Sequence, residues 1–286
     1  MKYDFRFVKY QGCGNDFIIK DEMEGPVTPD SDRSKLARKL CDRHFKVGAD
    51  GVIFIEKAEG VHGSMRLFEP AGNEADMCGN GLRCVAAYVA NKLGKDAVDI
   101  LTKDGVKQVT HAGGQYRANM GSVRTGTKDL REYIPGRLSV KDGLIVIPLD
   151  STERSLSGYV VNSGEPHVVV RSEHLGSENV RMIGDLVNGD RTRFPDGINI
   201  NFVQVVGDHE IKVRTYERGV YNETMACGTG ATASAFVAHT LGWVKPGIVT
   251  VHALGGDIGI EFAKDGNAYM TGPAVAEFEG KLVAEV

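Results

Sequence analysis

The sequence predicts an α+β protein of two pseudo-symmetric, duplicated domains. Each is expected to be a curved, mostly antiparallel β-sheet wrapped around a central helix, with an active site in the cleft between them. Three observations lead there: short β-rich stretches fill most of the chain, 36 glycines punctuate it, and a series of landmarks occurs twice in one order. GNDFII (14–19), DGVIF (50–54) and CGNG (78–81) are answered by GEPHVV (164–169), DGINI (196–200) and CGTG (227–230). VDILTKDG (98–105) is answered by VTVHALGG (249–256), and NMGS (119–122) by MTGP (270–273). A glutamate stands four residues before each paired cysteine, Glu74 before Cys78 and Glu223 before Cys227. A repeated order of this kind marks duplicated structural units. Duplication alone implies no function.

The strands follow from alternation and β-propensity. In the first half they are FRFVKY, GVIFIE, SMRLFE, VDILT and QYRANM. In the second they are LIVIPL, YVVNS, HVVVR, INFVQVV, IKVRTY and IVTVHAL. The segment after Cys78 carries Leu82, Val85, Ala86, Val89, Ala90 and Leu93 at helical spacing. Gly94 is placed to end that helix. The segment after Cys227, ATASAFVAHTLGW, is apolar or small nearly all round, as a buried helix is. The polar stretch around Pro135-Gly136 reads as a connection. The expected layout is an N-terminal half over 1–125, a linker over 126–136 and a C-terminal half over 137–274.

Length and composition narrow the class. A chain of 286 residues fits one large or two medium domains. Hydrophobic content of 42% and charged content of 25% are those of a globular protein. The net charge is −4 and no basic run occurs, which argues against nucleic acid or an anionic membrane as partner. No stretch approaches a membrane span, and the first residues lack the apolar segment of a secretory signal. The five cysteines, Cys13, Cys41, Cys78, Cys84 and Cys227, form no CxxC pair. Reduced thiols in a cytoplasmic protein, with no metal and no cofactor, are the expectation.

A cysteine at a helix start meets unpaired backbone N–H groups and about half a positive charge. That environment binds anions and favours the thiolate. One such site would suit a nucleophile; two, related by duplication, suggest thiols on opposite sides of one carbon. Inverting a stereocentre by proton transfer needs a base on one face and an acid on the other. The carbanion-like transition state spreads charge onto the α-carboxylate, where two helix N-termini would stabilise it. Cys78 and Cys227 are therefore the candidate catalytic pair. Cys84 reads as core, Cys41 as structural, and Cys13 as part of a Gly-rich turn beside Asn15.

MCGNGLRC, ETMACGTGATAS, QGCGNDF, GADG, PDGINI and YERG together resemble the diaminopimelate epimerase family, from about residue 5 to 275. The resemblance implies interconversion of LL- and meso-2,6-diaminopimelate without pyridoxal phosphate, in lysine and peptidoglycan precursor synthesis. It makes Cys78 and Cys227 the acid–base pair. It makes Asn15, Asn80 and Asn199 substrate-contacting amides, and Glu217 and Arg218 the acid and guanidinium that hold the substrate. It makes Gly79, Gly228 and Thr229 carboxylate binders, and His167 a histidine near the thiols. It also implies that residues 275–286 cross back to the first half, and it leaves a homodimer open.

Three positions depart from the family pattern. FEPAGNE (68–74) has Glu69 where the family has asparagine, Gly51 stands where glutamine is common, and GEPH has Glu165 in place of asparagine. Glu69 and Glu165 would repel a carboxylate and attract an ammonium. A racemase of a cationic amino acid such as lysine, ornithine or histidine is thus the alternative. A cysteine hydrolase using His167 as base, and a non-catalytic amino-acid-binding module, complete the alternatives.

Overall fold

The computed structural model describes residues 2–25, 27–150 and 155–285. The chain forms two compact units, one of residues up to Asn119 and from Thr271 onward, the other from Met120 to Met270. Both crossings fall inside the matched segments NMGS and MTGP.

In the first unit, Lys2–Gly12 turns at Cys13 and Gly14, both at positive φ, and pairs antiparallel with Asn15–Asp21. Asn15–Asp21 then runs parallel to Gly51–Glu56. A parallel pair cannot be joined by a tight turn. The helix Asp30–Leu40 supplies the crossover, burying Leu36, Ala37 and Leu40. Gly51–Glu56 pairs antiparallel with Gly63–Phe68, which pairs with the short strand Glu74–Ala75. The helix Gly79–Leu93 follows and leads to Ala97–Thr102, parallel to the start of Gly63–Phe68. Leu82, Cys84, Val85, Ala86 and Val89 of that helix are fully buried. Burial of Leu82, Val85 and Val89 contributes about 1.5–3 kcal/mol each by leaving water. Gly94 ends the helix at φ 64, its N–H donating to Ala90 O, as expected. The hairpin strand Gly105–Ala112 and the start of Gln115–Ser122 continue the unit. The last strand, Val275–Glu285, pairs antiparallel with Lys2–Gly12 along its length. Val286, the end of the tail read from sequence, lies outside the described residues.

The second unit repeats this plan. Pro166–Arg171 runs parallel to Asn199–Gly207, with Val180–Gly189 as crossover helix. Asn199–Gly207 pairs antiparallel with Glu210–Glu217, which pairs with the short Asn222–Thr224. The helix Gly228–Thr240 then leads to Val249–Ala253, parallel to the start of Glu210–Glu217. Leu144–Asp150, Ser155–Asn162 and Gly256–Phe262 extend the sheet. Its core packs Val168, Ile200, Phe202 and Tyr216 of the sheet against Val180, Ile183 and Val187 of the crossover helix.

One reading holds and one changes. The sheets are mostly antiparallel, as expected, and each also contains parallel pairs joined through helices, which strand alternation does not reveal. Residues 126–136 are not a free linker. They begin with the one-turn helix Thr127–Leu130, and Leu130 and Ile134 are buried in the second unit's core. The boundary lies at residue 120, ahead of them.

Candidate active site

The two paired cysteines occupy the same place in the two units. Cys78 is the N-cap of Gly79–Leu93 and Cys227 the N-cap of Gly228–Thr240. Both are extended, at φ −146 and −119, and both sulfurs accept a hydrogen bond from the N–H three residues on. Gly81 N donates to Cys78 Sγ at 3.4 Å and Gly230 N to Cys227 Sγ at 3.3 Å. This is N-capping with sulfur in place of the usual oxygen. Gly79, Asn80, Gly228 and Thr229 form the first turns, where N–H groups have no partner in the helix ladder. Glycine at 230 is required by space. A Cβ there would lie 2.4 Å from Asn201 Oδ1 and 3.3 Å from Cys227 Sγ.

The glutamates four residues upstream explain how each cysteine is held. Glu74 takes a two-pronged ion pair from Arg66, at 2.7 and 3.0 Å, and Glu223 one from Arg214, at 2.6 and 2.8 Å. Each fork fixes the short strand leading into its cysteine. Arg66 and Arg214 were not apparent in the sequence. Each lies two residues before the residue that pairs with its glutamate, at Phe68↔Glu74 and Tyr216↔Glu223.

In the first unit the structure brings Asn15, Cys78 and Asn80 together. Asn15 Nδ2 donates to Asp50 Oδ2 at 2.8 Å, which turns Asn15 Oδ1 towards Cys78 Sγ at 3.7 Å and Asn80 Nδ2 at 3.2 Å. Asp50 thus orients Asn15, while Arg43 binds both Asp50 and Asp16 at 2.6 Å. Arg83, another residue the sequence reading passed over, is fully buried. It donates to Asn80 Oδ1 at 3.0 Å and Pro273 O at 3.2 Å, and burial depresses its pKa. Burial raises Cys41 to about 12 and pushes Cys84 further in the same direction, consistent with structural thiols. Glu69 sits in a turn, its N–H donating to Asn73 O and its carboxylate accepting from Asn73 Nδ2 at 3.3 Å. Gly51 is packed: a Cβ there would meet Leu67 Cδ1 at 2.6 Å, leaving no room for a glutamine side chain without rearrangement.

In the second unit Glu165, His167, Asn199, Arg218, Cys227 and Thr229 belong to one network. Arg218 binds Glu165 through Nε, at 2.9 Å, and through Nη2. Asn199 accepts from Arg218 N at 2.9 Å and donates to Pro166 O at 3.1 Å, tying the two segments together. Glu217 accepts from the Thr224 hydroxyl. His167 is wholly buried, and burial lowers its pKa to about 3, so it is neutral. Its Nε2 lies 3.0 Å from Thr229 Oγ1, which lies 3.3 Å from Cys227 Sγ. Asn201 and Thr215, unnoticed in the sequence, stand behind His167. Among the described residues no cluster of His, Cys, Asp or Glu could hold a metal ion. Among them, too, no helix is long and apolar enough to cross a membrane.

Solved structures share this architecture. A hydroxyproline epimerase from Agrobacterium vitis matches with TM-score 0.70 and 14% identity, over 99% of this chain and 94% of that one. A phenazine biosynthesis protein of the PhzF family from Bacillus anthracis matches with TM-score 0.66 and 16% identity, over 98% and 99%. At such identities the likeness defines a fold: the duplicated α+β unit. The diaminopimelate epimerase family model matches residues 7–126 and again 159–277. A relative called diaminopimelate epimerase in Methanocella arvoryzae is 38% identical over 97% of this chain and 96% of its own length. One of the same description in Methanothrix thermoacetophila is 39% identical over 98% and 96%. The chain belongs to the diaminopimelate epimerase family and is an isomerase, an epimerase.

Proposed function

We propose that the protein interconverts LL- and meso-2,6-diaminopimelate by two-base proton transfer, a step towards lysine and peptidoglycan precursors. The observation that carries the reading is the equivalence of Cys78 and Cys227, each the sulfur N-cap of the same helix in two copies of one unit. One cysteine, as thiolate, takes the α-proton and becomes a thiol. The other, as thiol, delivers a proton to the opposite face and becomes the thiolate. The reverse reaction exchanges the roles. The α-carboxylate, which takes up charge in the transition state, is bound by first-turn N–H groups, where fixed donors contribute most. No cofactor or metal takes part.

The distal end of the substrate carries an ammonium and a carboxylate. In this reading Arg218 takes the carboxylate in its planar fork and Glu165 takes the ammonium. The pairing of Arg218 with Glu165 supports a second reading. A guanidinium already matched by an internal carboxylate would also suit a substrate whose side chain ends in a cation alone, such as lysine, ornithine or histidine. The deciding experiment is α-proton exchange in deuterated water over LL-diaminopimelate, lysine, ornithine, histidine, glutamate and proline. The highest kcat/KM is expected for LL-diaminopimelate. A higher value for any mono-carboxylate amino acid would overturn the assignment.

A further inference from the structure

We infer that the two thiols are unequal in the substrate-free protein: Cys227 is held as the thiolate and Cys78 as the thiol, because the hydrogen bonds behind them run in opposite senses. Its bearing on turnover rests on the proposed function.

On the Cys227 side the chain of donors starts at Asn201. Its Nδ2 is 3.4 Å from Val168 O, which can only accept, and 3.0 Å from His167 Nδ1. Its Oδ1 accepts from Thr215 Oγ1 at 2.9 Å. The amide orientation is therefore fixed, and His167 Nδ1 is the acceptor. A neutral imidazole with an accepting Nδ1 carries its proton on Nε2. That proton is donated to Thr229 Oγ1 at 3.0 Å. The single hydroxyl proton of Thr229 is then directed to Cys227 Sγ at 3.3 Å. With the Gly230 N–H at 3.3 Å, the sulfur receives two donors. Donors to the charged form favour it.

On the Cys78 side the sense reverses. Asp50 can only accept from Asn15 Nδ2, so Asn15 presents its carbonyl oxygen to the sulfur. That oxygen can only accept, and Cys78 meets it as an S–H donor. A thiolate there would face a carbonyl dipole. The Gly81 N–H matches that of Gly230 and does not distinguish the two sites.

The charges nearby do not cancel this difference. Arg83 favours a Cys78 thiolate, but its guanidinium is engaged by Asn80 Oδ1 and Pro273 O, and acts more strongly on Cys13 and Cys84 than on Cys78. Asp50, behind Asn15, is matched by Arg43, as Arg218 is by Glu165 on the other side. On the other side His167 is uncharged, Arg218 is matched by Glu165, and Glu217 accepts from Thr224.

The test is the alkylation rate of each cysteine by iodoacetamide from about pH 5 to 10, read by peptide mass spectrometry, since only the thiolate reacts. Cys227 should reach half its maximal rate at least about one pH unit below Cys78. Coincident or inverted profiles would overturn the inference, and this comparison needs no variant. Thr229→Val removes the donor to the sulfur. Asn201→Asp makes a carboxylate accept from His167 Nδ1, so that Nε2 takes the Thr229 proton away from Cys227. Both should move the Cys227 profile up by about one unit and leave Cys78 in place. Unmoved Cys227 profiles in folded variants would also overturn it. A protein that fails to epimerise diaminopimelate yet keeps this order would contradict the proposed substrate and not the proton assignment.

Discussion

Arg218 directs Nε and Nη2 at one oxygen of Glu165, and Asn199 ties the backbone of Arg218 to Pro166, the residue after Glu165. A guanidinium and a carboxylate held this close present both signs of charge. Under the proposed function, each exchanges its internal partner for one on a substrate whose far end is itself a zwitterion. Arg218→Ala should therefore lower kcat/KM for LL-diaminopimelate by about 30-fold or more, and Glu165→Gln by about tenfold, mostly through KM. Steady-state kinetics on the two variants check this. An unchanged KM in Glu165→Gln would remove Glu165 from substrate contact.

Much of this was legible in the chain. Strands such as GVIFIE and IKVRTY alternate or are β-rich. The two helix starts stand out because a cysteine precedes glycines and then an apolar run. The first crossover helix was not legible for a physical reason. Asp30–Leu40 buries only Arg33, Leu36, Ala37 and Leu40 and is otherwise polar. Its presence follows from the parallel pairing of Asn15–Asp21 with Gly51–Glu56, which is a long-range fact. The residues that support the thiols were hidden for the same reason. Asn201 and Thr215 lie on neighbouring strands and meet only through pairing at Asn201↔Thr215. Arg66 and Arg214 could have been suspected from the duplicated glutamates, which needed a cation each. The linker was misplaced because its polar residues outnumber Leu130 and Ile134, the two that anchor it.

Gly230 tests how tightly the second helix start is built. In Gly230→Ala the new methyl meets Asn201 Oδ1, so that either the helix start or the Asn201 amide must move. A loss of about 1–3 kcal/mol in stability is expected, with a larger fractional loss of activity because Cys227 moves with the helix. Denaturant unfolding beside turnover measures both. A variant of wild-type stability and rate would show the site to be looser than its distances.

His167 gives a pH signature. It is neutral in the folded protein because burial lowers its pKa to about 3, whereas in the unfolded chain it titrates near 6.5. As pH falls below about 6.5 the unfolded state takes up the proton first, so the stability is present above that pH and lost on acidification. Between about pH 7 and 5 this costs up to about 2 kcal/mol. His167→Gln should lose less stability over that interval by about the same amount. Urea unfolding at the two pH values compares them, and equal losses would mean that His167 is charged or accessible in the native state.

The pairing of Cys78 with Cys227 as acid and base is tested most directly by proton NMR of LL-diaminopimelate in deuterated water with the wild type, Cys78→Ala and Cys227→Ala. The wild type should exchange the α-proton and form the meso isomer. Each single variant should form no meso isomer, because one face has lost its proton donor or acceptor, while exchange or elimination that needs only one base can persist. Wild-type rates of meso formation in either variant, or no exchange by the wild type, would contradict it.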